Sequence, residues 1–237
     1  MRASDLSFAR DGAALFPTAV TAEEIAVLRK RLDPAIDGRP GRRLPDDDAT
    51  GDLLAAEGPV GRIAAGLLGG VARPVRAVLF DKTPDANWIV AWHQDRTICV
   101  RERIEVESFG PWSTKDGLLH VAPPIGVLEG MATLRVHLDD CDDDNAPLKI
   151  VLGSHRWGYV PAAEAAARAE ALPPFVCHAR AGDVWAYSTP ILHMSERSRG
   201  SGRRRVLQID YAAAELPGGL EWRGLSWSLA AERALMS

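Results

Sequence analysis

The chain has 237 residues, a net charge of −4 at pH 7 and an apolar share of 46%. This size suits one large β domain, and the apolar share is ample for a packed core. So small a charge gives no general attraction to nucleic acid or to a membrane surface. Three widely spaced cysteines without a CxxC pair argue against a disulfide framework or a zinc ribbon. Because the N-terminus lacks a secretory signal, we expect a cytoplasmic protein with reduced thiols.

The first third of the chain is predicted to be mainly helical. Residues 8–16 are predicted to form a short strand or helix. Thr21 is a favourable N-cap, and apolar residues then recur at helical spacing, which predicts a helix over residues 22–32. A second helix is predicted over residues 59–68, ending at a pair of glycines. Between the two helices, the charged residues 37–52, rich in Gly and Pro, form either a solvated connector or a mobile lid.

After Pro74 the pattern changes to short strands between turn residues, with one helix predicted at residues 161–172. The predicted strands cover residues 75–80, 88–93, 97–101, 131–138, 147–152, 175–180, 183–187, 190–194 and 204–211. Many short strands with polar turns favour a mainly β, double-sheet jelly roll. We expect a single domain over residues 1–237, divided as follows: a mainly helical part at 1–72, the jelly-roll core at 73–212 and a C-terminal extension at 213–237.

The tripeptide His93-Gln94-Asp95 is the main candidate for a metal site. Residues i and i+2 of an extended strand point to the same side, so His93 and Asp95 can present an imidazole and a carboxylate at one point. The pattern has little specificity alone, because His-x-Asp occurs by chance in many proteins. A third ligand has to come from elsewhere in the chain.

His193 is the predicted third ligand, because it follows the apolar run Pro190-Ile191-Leu192, as a strand would deliver it to a barrel mouth. Two imidazoles and one carboxylate form the facial triad that holds non-haem Fe(II) and leaves coordination positions open. The competitors for this place are His120, His137, His155 and His178.

Arg204 is a candidate anchor for an anionic co-substrate. An iron enzyme that uses 2-oxoglutarate has to bind the distal carboxylate of that keto acid, and the planar guanidinium of arginine matches a carboxylate. We expect a hairpin through residues 197–202 to bring the strand of Arg204 alongside His193. Ser195, two residues after His193, would then donate a hydrogen bond to the same carboxylate.

The arginines on either side of Arg204 leave an alternative open. Arg203 and Arg205 flank it, so the segment is also compatible with a basic surface hairpin. Because side chains alternate along a strand, either Arg204 points inward, or Arg203 and Arg205 do.

Several stretches within about residues 75–212 occur together in the order expected of one protein family. They are Asp81-Lys82-Thr83-Pro84, Trp92-His93-Gln94-Asp95, Leu138-Asp139-Asp140, Asn145-Ala146-Pro147-Leu148, Gly153-Ser154-His155-Arg156, Leu192-His193-Met194-Ser195 and Arg204. In these motifs the chain resembles the phytanoyl-CoA dioxygenase (PhyH) family, a branch of the Fe(II)/2-oxoglutarate oxygenases. The resemblance implies a double-stranded β-helix core, a cupin-like jelly roll, with flanking N-terminal helices. It also implies iron bound by His93, Asp95 and His193, and 2-oxoglutarate held by Arg204 with help from Ser195.

Three further residues have a role that depends on where they point. Lys82 matches a lysine near the co-substrate in this family and is otherwise an exposed turn lysine. Arg135 and His137 share one strand face. If that face is inward, Arg135 binds the co-substrate or an anionic substrate and His137 belongs to the substrate pocket; if it is outward, both are in solvent.

Aromatic residues near the motif are candidate substrate contacts. Trp88 precedes His93, and Trp112 lies in a long loop at residues 102–130 that we expect to cap the site. Such residues suit an apolar or ring-containing substrate, but packing around a barrel mouth explains them equally well.

The resemblance implies an enzyme that uses Fe(II), 2-oxoglutarate and O2 to hydroxylate a C–H bond of a small molecule, releasing succinate and CO2. Asp95 disfavours halogenation, because the iron halogenases of this family carry a small residue in place of the carboxylate. Two alternatives stay open: the same iron site catalysing desaturation, cyclisation or epimerisation, and a metal-binding jelly roll without oxygen chemistry. We expect neither nucleic acid nor a membrane as a partner, and the sequence sets no oligomeric state.

Overall fold

The computed structural model describes residues 1–35, 38–39, 41–44 and 51–225. The strands are β1 (Ala13–Phe16), β2 (Gly41–Arg43), β3 (Arg73–Lys82), β4 (Val90–His93), β5 (Ile98–Cys99), β6 (Trp112–Lys115), β7 (Leu118–Val121), β8 (Met131–His137), β9 (Leu148–Ile150), β10 (Phe175–Cys177), β11 (Val184–Ser188), β12 (His193–Ser195) and β13 (Arg204–Ala212). The helices are α1 (Phe8–Asp11), α2 (Ala22–Leu32), α3 (Gly51–Leu54), α4 (Pro59–Leu68), α5 (Ile125–Glu129) and α6 (Ala165–Glu170). No helix among these residues is long and apolar enough to cross a membrane.

The strands form three antiparallel sheets. The major sheet has the order β1-β11-β8-β13-β3-β2, the minor sheet β10-β9-β12-β4, and a small sheet β5-β7-β6. The chain passes between the major and minor sheets from β3 to β4, from β8 to β9 and at each step from β10 to β13. Such crossings are typical of a jelly roll, in which two sheets enclose one core. The prediction of a mainly β jelly-roll fold is confirmed.

Apolar side chains of both main sheets meet in one cluster. Trp185 and Tyr187 of β11 contribute from the major sheet, and Leu148 and Ile150 of β9 from the minor sheet. The other face of the major sheet is covered by α2 and α4, whose buried residues pack against apolar residues of β8 and β13. The major sheet is therefore covered on both faces, and the charged residues on the face toward the minor sheet lie in the interior.

Both predicted N-terminal helices are present with their predicted ends. Thr21 Oγ1 accepts a hydrogen bond from the backbone of Glu24, and the Glu24 carboxylate accepts one from the backbone of Thr21. This reciprocal arrangement satisfies backbone donors that a helix start leaves free. Helix α4 begins at Pro59 and ends at Gly69, whose φ of 73° is the left-handed conformation that favours glycine.

Two segments predicted as loops contain regular structure. Gly41–Arg43 is the edge strand β2, paired with β3, so the connector or lid predicted at residues 37–52 is wrong for this stretch. Residues 37, 40 and 45–50 lie outside the described residues. The prediction of a long loop at residues 102–130 is wrong as well, because this stretch contains β6, β7 and α5.

A local motif explains the missed hairpin of β6 and β7. Asp116 and Gly117 join the two strands and both have positive φ, 51° and 75°. Tight two-residue hairpins need positive φ at both central positions, and Asp-Gly is a preferred pair for them.

The predicted hairpin through residues 197–202 is also wrong. Strand β12 pairs with β4 and β9, whereas β13 pairs with β3 and β8. The segment between β12 and β13 therefore crosses from the minor to the major sheet. Arg204 reaches the interior from the sheet opposite His193, and not from the strand beside it.

Candidate metal centre and co-substrate cavity

The three predicted metal ligands come together in space. His93 at the end of β4 is the direct pairing partner of His193 at the start of β12, and their ring centroids are 4.2 Å apart. Asp95 follows two residues after His93. One ligand atom from each of His93, Asp95 and His193 lies within 4.8 Å of the other two.

The two imidazoles present the same nitrogen to this point. Nδ1 of His93 donates to the carbonyl of Ala91 at 2.8 Å, and Nδ1 of His193 donates to the carbonyl of Ile191 at 2.9 Å. A carbonyl can only accept, so each Nδ1 carries a proton and each Nε2 is the nitrogen available to a metal. Burial and the neighbouring His93 lower the pKa of His193 to about 4, which keeps its ring neutral at pH 7.

Asp95 supplies an ionised carboxylate with an oxygen that makes no hydrogen bond. Burial favours its neutral form, but Arg76 and the two histidines hold the pKa of Asp95 below its ordinary value. Its Oδ2 is buried without a hydrogen-bond partner. Two imidazoles and one carboxylate oxygen without a hydrogen-bond partner fit a divalent metal such as Fe(II), whose binding would satisfy all three.

A buried ion pair lies behind Asp95. Arg76 Nε donates to Asp210 Oδ2 at 2.5 Å, and Arg76 Nη2 is 3.8 Å from Asp95 Oδ2. Thr133 Oγ1 donates to the other oxygen of Asp210 at 3.1 Å. Sequence reasoning missed this pair. The alternation of side chains along a strand could have indicated it. Arg76 lies on the same face of β3 as Lys82, and Asp210 on the same face of β13 as Arg204, because each pair is an even number of residues apart.

Gln94 lies between His93 and Asp95, and both polar atoms of its side chain are hydrogen-bonded. Its Nε2 donates to the carbonyls of Gly158 and Pro190 at 2.9 and 2.8 Å, and its Oε1 accepts from the backbone of Val160 at 2.9 Å. The residue therefore ties the His93–Asp95 segment to the segment that leads into His193. Support of this kind orients metal ligands.

The backbone before His193 is held in a similar way. Ser154 Oγ donates to the carbonyl of Val151 at 2.6 Å and accepts from the backbone of Leu192 at 2.8 Å. The Gly153-Ser154-His155 turn thus fixes the start of β12 through Ser154. His155 lies beside Gly12 and is not part of the His-Asp-His group.

A cavity of about 120 Å³ adjoins the ligands. Its charged lining residues are Asp95 and three cations, Lys82, Arg135 and Arg204. These cations project from β3, β8 and β13 of the major sheet, where Lys82 pairs with Arg204 and Arg135 with Gln208 in register. One wall of the cavity is therefore strongly electropositive.

Arg204 is the inward residue of its arginine triplet and is only 2% exposed. Its Nη1 donates to the carbonyl of Ala146, while its Nε is buried without a partner. Burial and the nearby Arg135 lower the pKa of Arg204 to about 10, so it stays charged at neutral pH. The side chains of Arg203 and Arg205 point away from the cavity, toward Asp81 and Asp139.

Lys82 joins the two sheets across the cavity. Its Nζ donates to Ser195 Oγ at 2.9 Å and to the carbonyl of Glu196, and it lies 5.0 Å from the ring centroid of Trp88. Burial, followed by Arg204 and Arg135, lowers the pKa of Lys82 to about 7. It is 1% exposed and is not a surface turn residue.

Arg135 also faces inward. Its Nη1 donates to Gln208 Oε1 at 2.8 Å, an oxygen that accepts from Tyr187 as well, and its Nε has no partner. His137 shares this buried face, but it does not line the cavity. Burial, then Arg135 and Arg204, lowers the pKa of His137 well below its ordinary value.

The two candidate tryptophans lie in different places. Trp88 stacks on Lys82 beside the cavity. Trp112 is in the small sheet, packed into an apolar cluster with Phe109 and Val121, and does not line the cavity. Of the competing histidines, His120 is buried in the small sheet and His178 is an exposed partner of Asp143.

The chain belongs to the phytanoyl-CoA dioxygenase (PhyH) family, whose family model matches residues 8–206. Together with the His-Asp-His site, membership makes the protein an iron- and 2-oxoglutarate-dependent enzyme of the oxygenase type. A comparison with curated proteins finds no match.

Several solved structures share the fold at low sequence identity. One is the epimerase SnoN from nogalamycin biosynthesis in complex with Fe3+, alpha ketoglutarate and nogalamycin RO (18% identity, 90% of this chain and 88% of that chain, TM-score 0.63). A second is the carbocyclase SnoK from nogalamycin biosynthesis (16%, 98% and 93%, TM-score 0.65). A third is HygX from Streptomyces hygroscopicus with nickel, 2-oxoglutarate and hygromycin B bound (17%, 87% and 85%, TM-score 0.59).

Proposed function

We propose that this protein is a hydroxylase: it couples oxidative decarboxylation of 2-oxoglutarate to hydroxylation of a C–H bond in a small molecule. The supporting observation is the electropositive cavity that adjoins the three metal ligands. Bound Fe(II) with the oxo acid supplies the activation of O2, and the protein supplies position, charge and exclusion of water.

In this proposal His93, Asp95 and His193 hold the metal, and the cavity takes the co-substrate. Arg204 binds the distal carboxylate through its free guanidinium hydrogens, with Lys82 and Ser195 beside it. Arg135 faces the same ligand from the neighbouring strand. Charged hydrogen bonds of this kind are stronger than neutral ones.

The primary substrate binds outside this cavity. A volume of about 120 Å³ is below the roughly 300–1,000 Å³ of pockets for drug-sized ligands. Trp88 beside Lys82 is the proposed aromatic contact, and the positions of Trp112 and His137 give no support to a substrate role for either. A substrate with an apolar or ring-containing part fits Trp88.

A second candidate is another outcome at the same site, namely epimerisation, cyclisation or desaturation. It is favoured by the fold shared with proteins described as an epimerase and a carbocyclase. The mass of the product separates the outcomes: a gain of about 16 Da for hydroxylation, a loss of about 2 Da for cyclisation or desaturation, and no change for epimerisation.

The test is a screen of small molecules with Fe(II), 2-oxoglutarate and O2, read out by succinate release and product mass. Succinate formation that depends on Fe(II) and is abolished in His93→Ala is the expected result. Wild-type turnover in His93→Ala would remove His93 from the metal site. Absence of succinate under all conditions, combined with tight zinc binding, would favour a metal-binding protein without oxygen chemistry.

A further inference from the structure

Before a co-substrate binds, the cavity is lined by more positive than negative side chains. Lys82, Arg135 and Arg204 line it, and Asp95 is its one carboxylate among the described lining residues. A bound divalent metal adds two further positive charges, so the surplus of positive charge is largest before the doubly charged dicarboxylate binds. Isolated charges are costly to bury, and a buried group commonly loses its charge instead.

Lys82 is the group that can lose its charge at neutral pH. Arginine side chains stay protonated in proteins, whereas a buried lysine readily gives up its proton. Both hydrogen-bond partners of Lys82 Nζ, Ser195 Oγ and the carbonyl of Glu196, are uncharged acceptors. A neutral amine can keep donating to both, so this contact does not require an ammonium.

Burial and the two nearest charged groups oppose the ammonium form of Lys82. Arg204 faces it from β13 and Arg135 from β8, and both disfavour the ammonium. Cys141 and Glu196 act in the opposite direction, but burial raises the pKa of the Cys141 thiol, and the Glu196 carboxylate is engaged by Lys149 at 2.7 Å. Burial and the two arginines together lower the pKa of Lys82 to about 7.

We propose that binding of the co-substrate is coupled to protonation of Lys82. Above neutral pH the Lys82 amine is mainly neutral without the co-substrate, and it takes up a proton when a dicarboxylate binds. The proton comes from solvent and goes to Nζ, and no covalent bond to carbon changes. This inference rests on the proposed function, because it needs 2-oxoglutarate in this cavity.

Proton uptake on binding determines how the affinity for 2-oxoglutarate changes with pH. Both carboxyl groups of 2-oxoglutarate are ionised at pH 7, since such groups have pKa values near 4. Below the free-state pKa of Lys82, about 7, the ammonium already exists and affinity is independent of pH. Above it, binding must add the proton, so the Kd for 2-oxoglutarate rises by up to about tenfold per pH unit until the bound-state pKa is reached.

The experiment is isothermal titration of 2-oxoglutarate into protein loaded with Mn2+, which takes the same imidazole and carboxylate ligands as iron. Titrations at pH 8 in buffers of different ionisation enthalpy give the number of protons exchanged. Wild type should take up protons on binding, up to about 0.9 proton, because a pKa of about 7 leaves that fraction of Lys82 neutral at pH 8.

Two substitutions separate the titration of Lys82 from its charge. Lys82→Arg keeps a permanent cation, so proton uptake should disappear while the low-pH affinity persists at all pH values. Lys82→Met should also abolish uptake and bind 2-oxoglutarate weakly at every pH. Lys30→Met, at an exposed lysine of α2, is the control and should take up protons like wild type.

The outcomes distinguish this inference from the proposed function. Binding of 2-oxoglutarate without proton uptake, or with equal uptake in wild type and Lys82→Arg, would overturn the inference and leave the enzyme class intact. Failure of 2-oxoglutarate to bind the metal-loaded protein at any pH would overturn both.

Discussion

Alternation along β13 decides which of three consecutive arginines reaches the cavity. Arg204 points inward and keeps a buried Nε without a partner. Arg203 donates to Asp81 at 2.8 Å, and Arg205 donates to Asp139 at 2.7–2.8 Å. The outward arginines are thus neutralised by carboxylates, and the inward one retains capacity for a ligand.

Arg204→Met should raise the KM for 2-oxoglutarate about 10- to 100-fold, because a hydrogen bond to a charged group contributes about 1.5–3 kcal/mol. The measurement is succinate release against 2-oxoglutarate concentration. Arg203→Met is the matched control on the opposite face and should leave this KM within about twofold of wild type. The reverse result would assign the anchor to Arg203.

At the scale of elements, the site depends on paired strands of the major sheet. Arg76 of β3 lies opposite Asp210 of β13 in register, and both are almost fully buried. Their ion pair joins the two strands and places a guanidinium near Asp95. Burial of such a pair is costly, and removing one partner costs more than removing both.

Asp210→Asn should therefore destabilise the protein by about 3 kcal/mol or more, because the neutral amide no longer compensates the buried positive charge of Arg76. The double variant Arg76→Met/Asp210→Asn should recover most of that loss. Urea unfolding of the two single variants and the double variant measures the coupling. Additive effects would mean that the pair does not act as a unit.

At the scale of the whole molecule, the metal ligands come from distant parts of the chain. His93 and Asp95 adjoin β4, and His193 begins β12, so the ligand set exists only when the minor sheet has formed. A ligand that binds only the folded state stabilises it by mass action. Metal binding and folding of the jelly roll are therefore linked.

Mn2+ at 100 times its Kd should stabilise the protein by about 2.7 kcal/mol, and 2-oxoglutarate should add to this. Thermal unfolding with and without the metal measures the change. His93→Ala should lose most of the shift that wild type shows at the same metal concentration. An equal shift in both proteins would indicate binding away from the His-Asp-His site.

Local patterns in the sequence determined a large part of the architecture. The capping residue Thr21 and helical spacing predicted α2, and alternating short segments predicted most strands of the jelly roll. The i, i+2 spacing of His93 and Asp95 predicted that their side chains meet at one point, and they do, although Asp95 lies just beyond the end of β4. These features depend on neighbouring residues, so a single chain segment contains the information.

Only the tertiary structure decided which distant side chains meet. The crossing between β12 and β13 puts Arg204 opposite Ser195, where a local hairpin was expected, and Lys82 connects the two sheets through Ser195. The pair of Arg76 and Asp210 depends on strand register in the same way. Sheet pairing joins segments far apart in sequence, and local periodicity fixes which face a residue takes but not which strand lies beside or across from it.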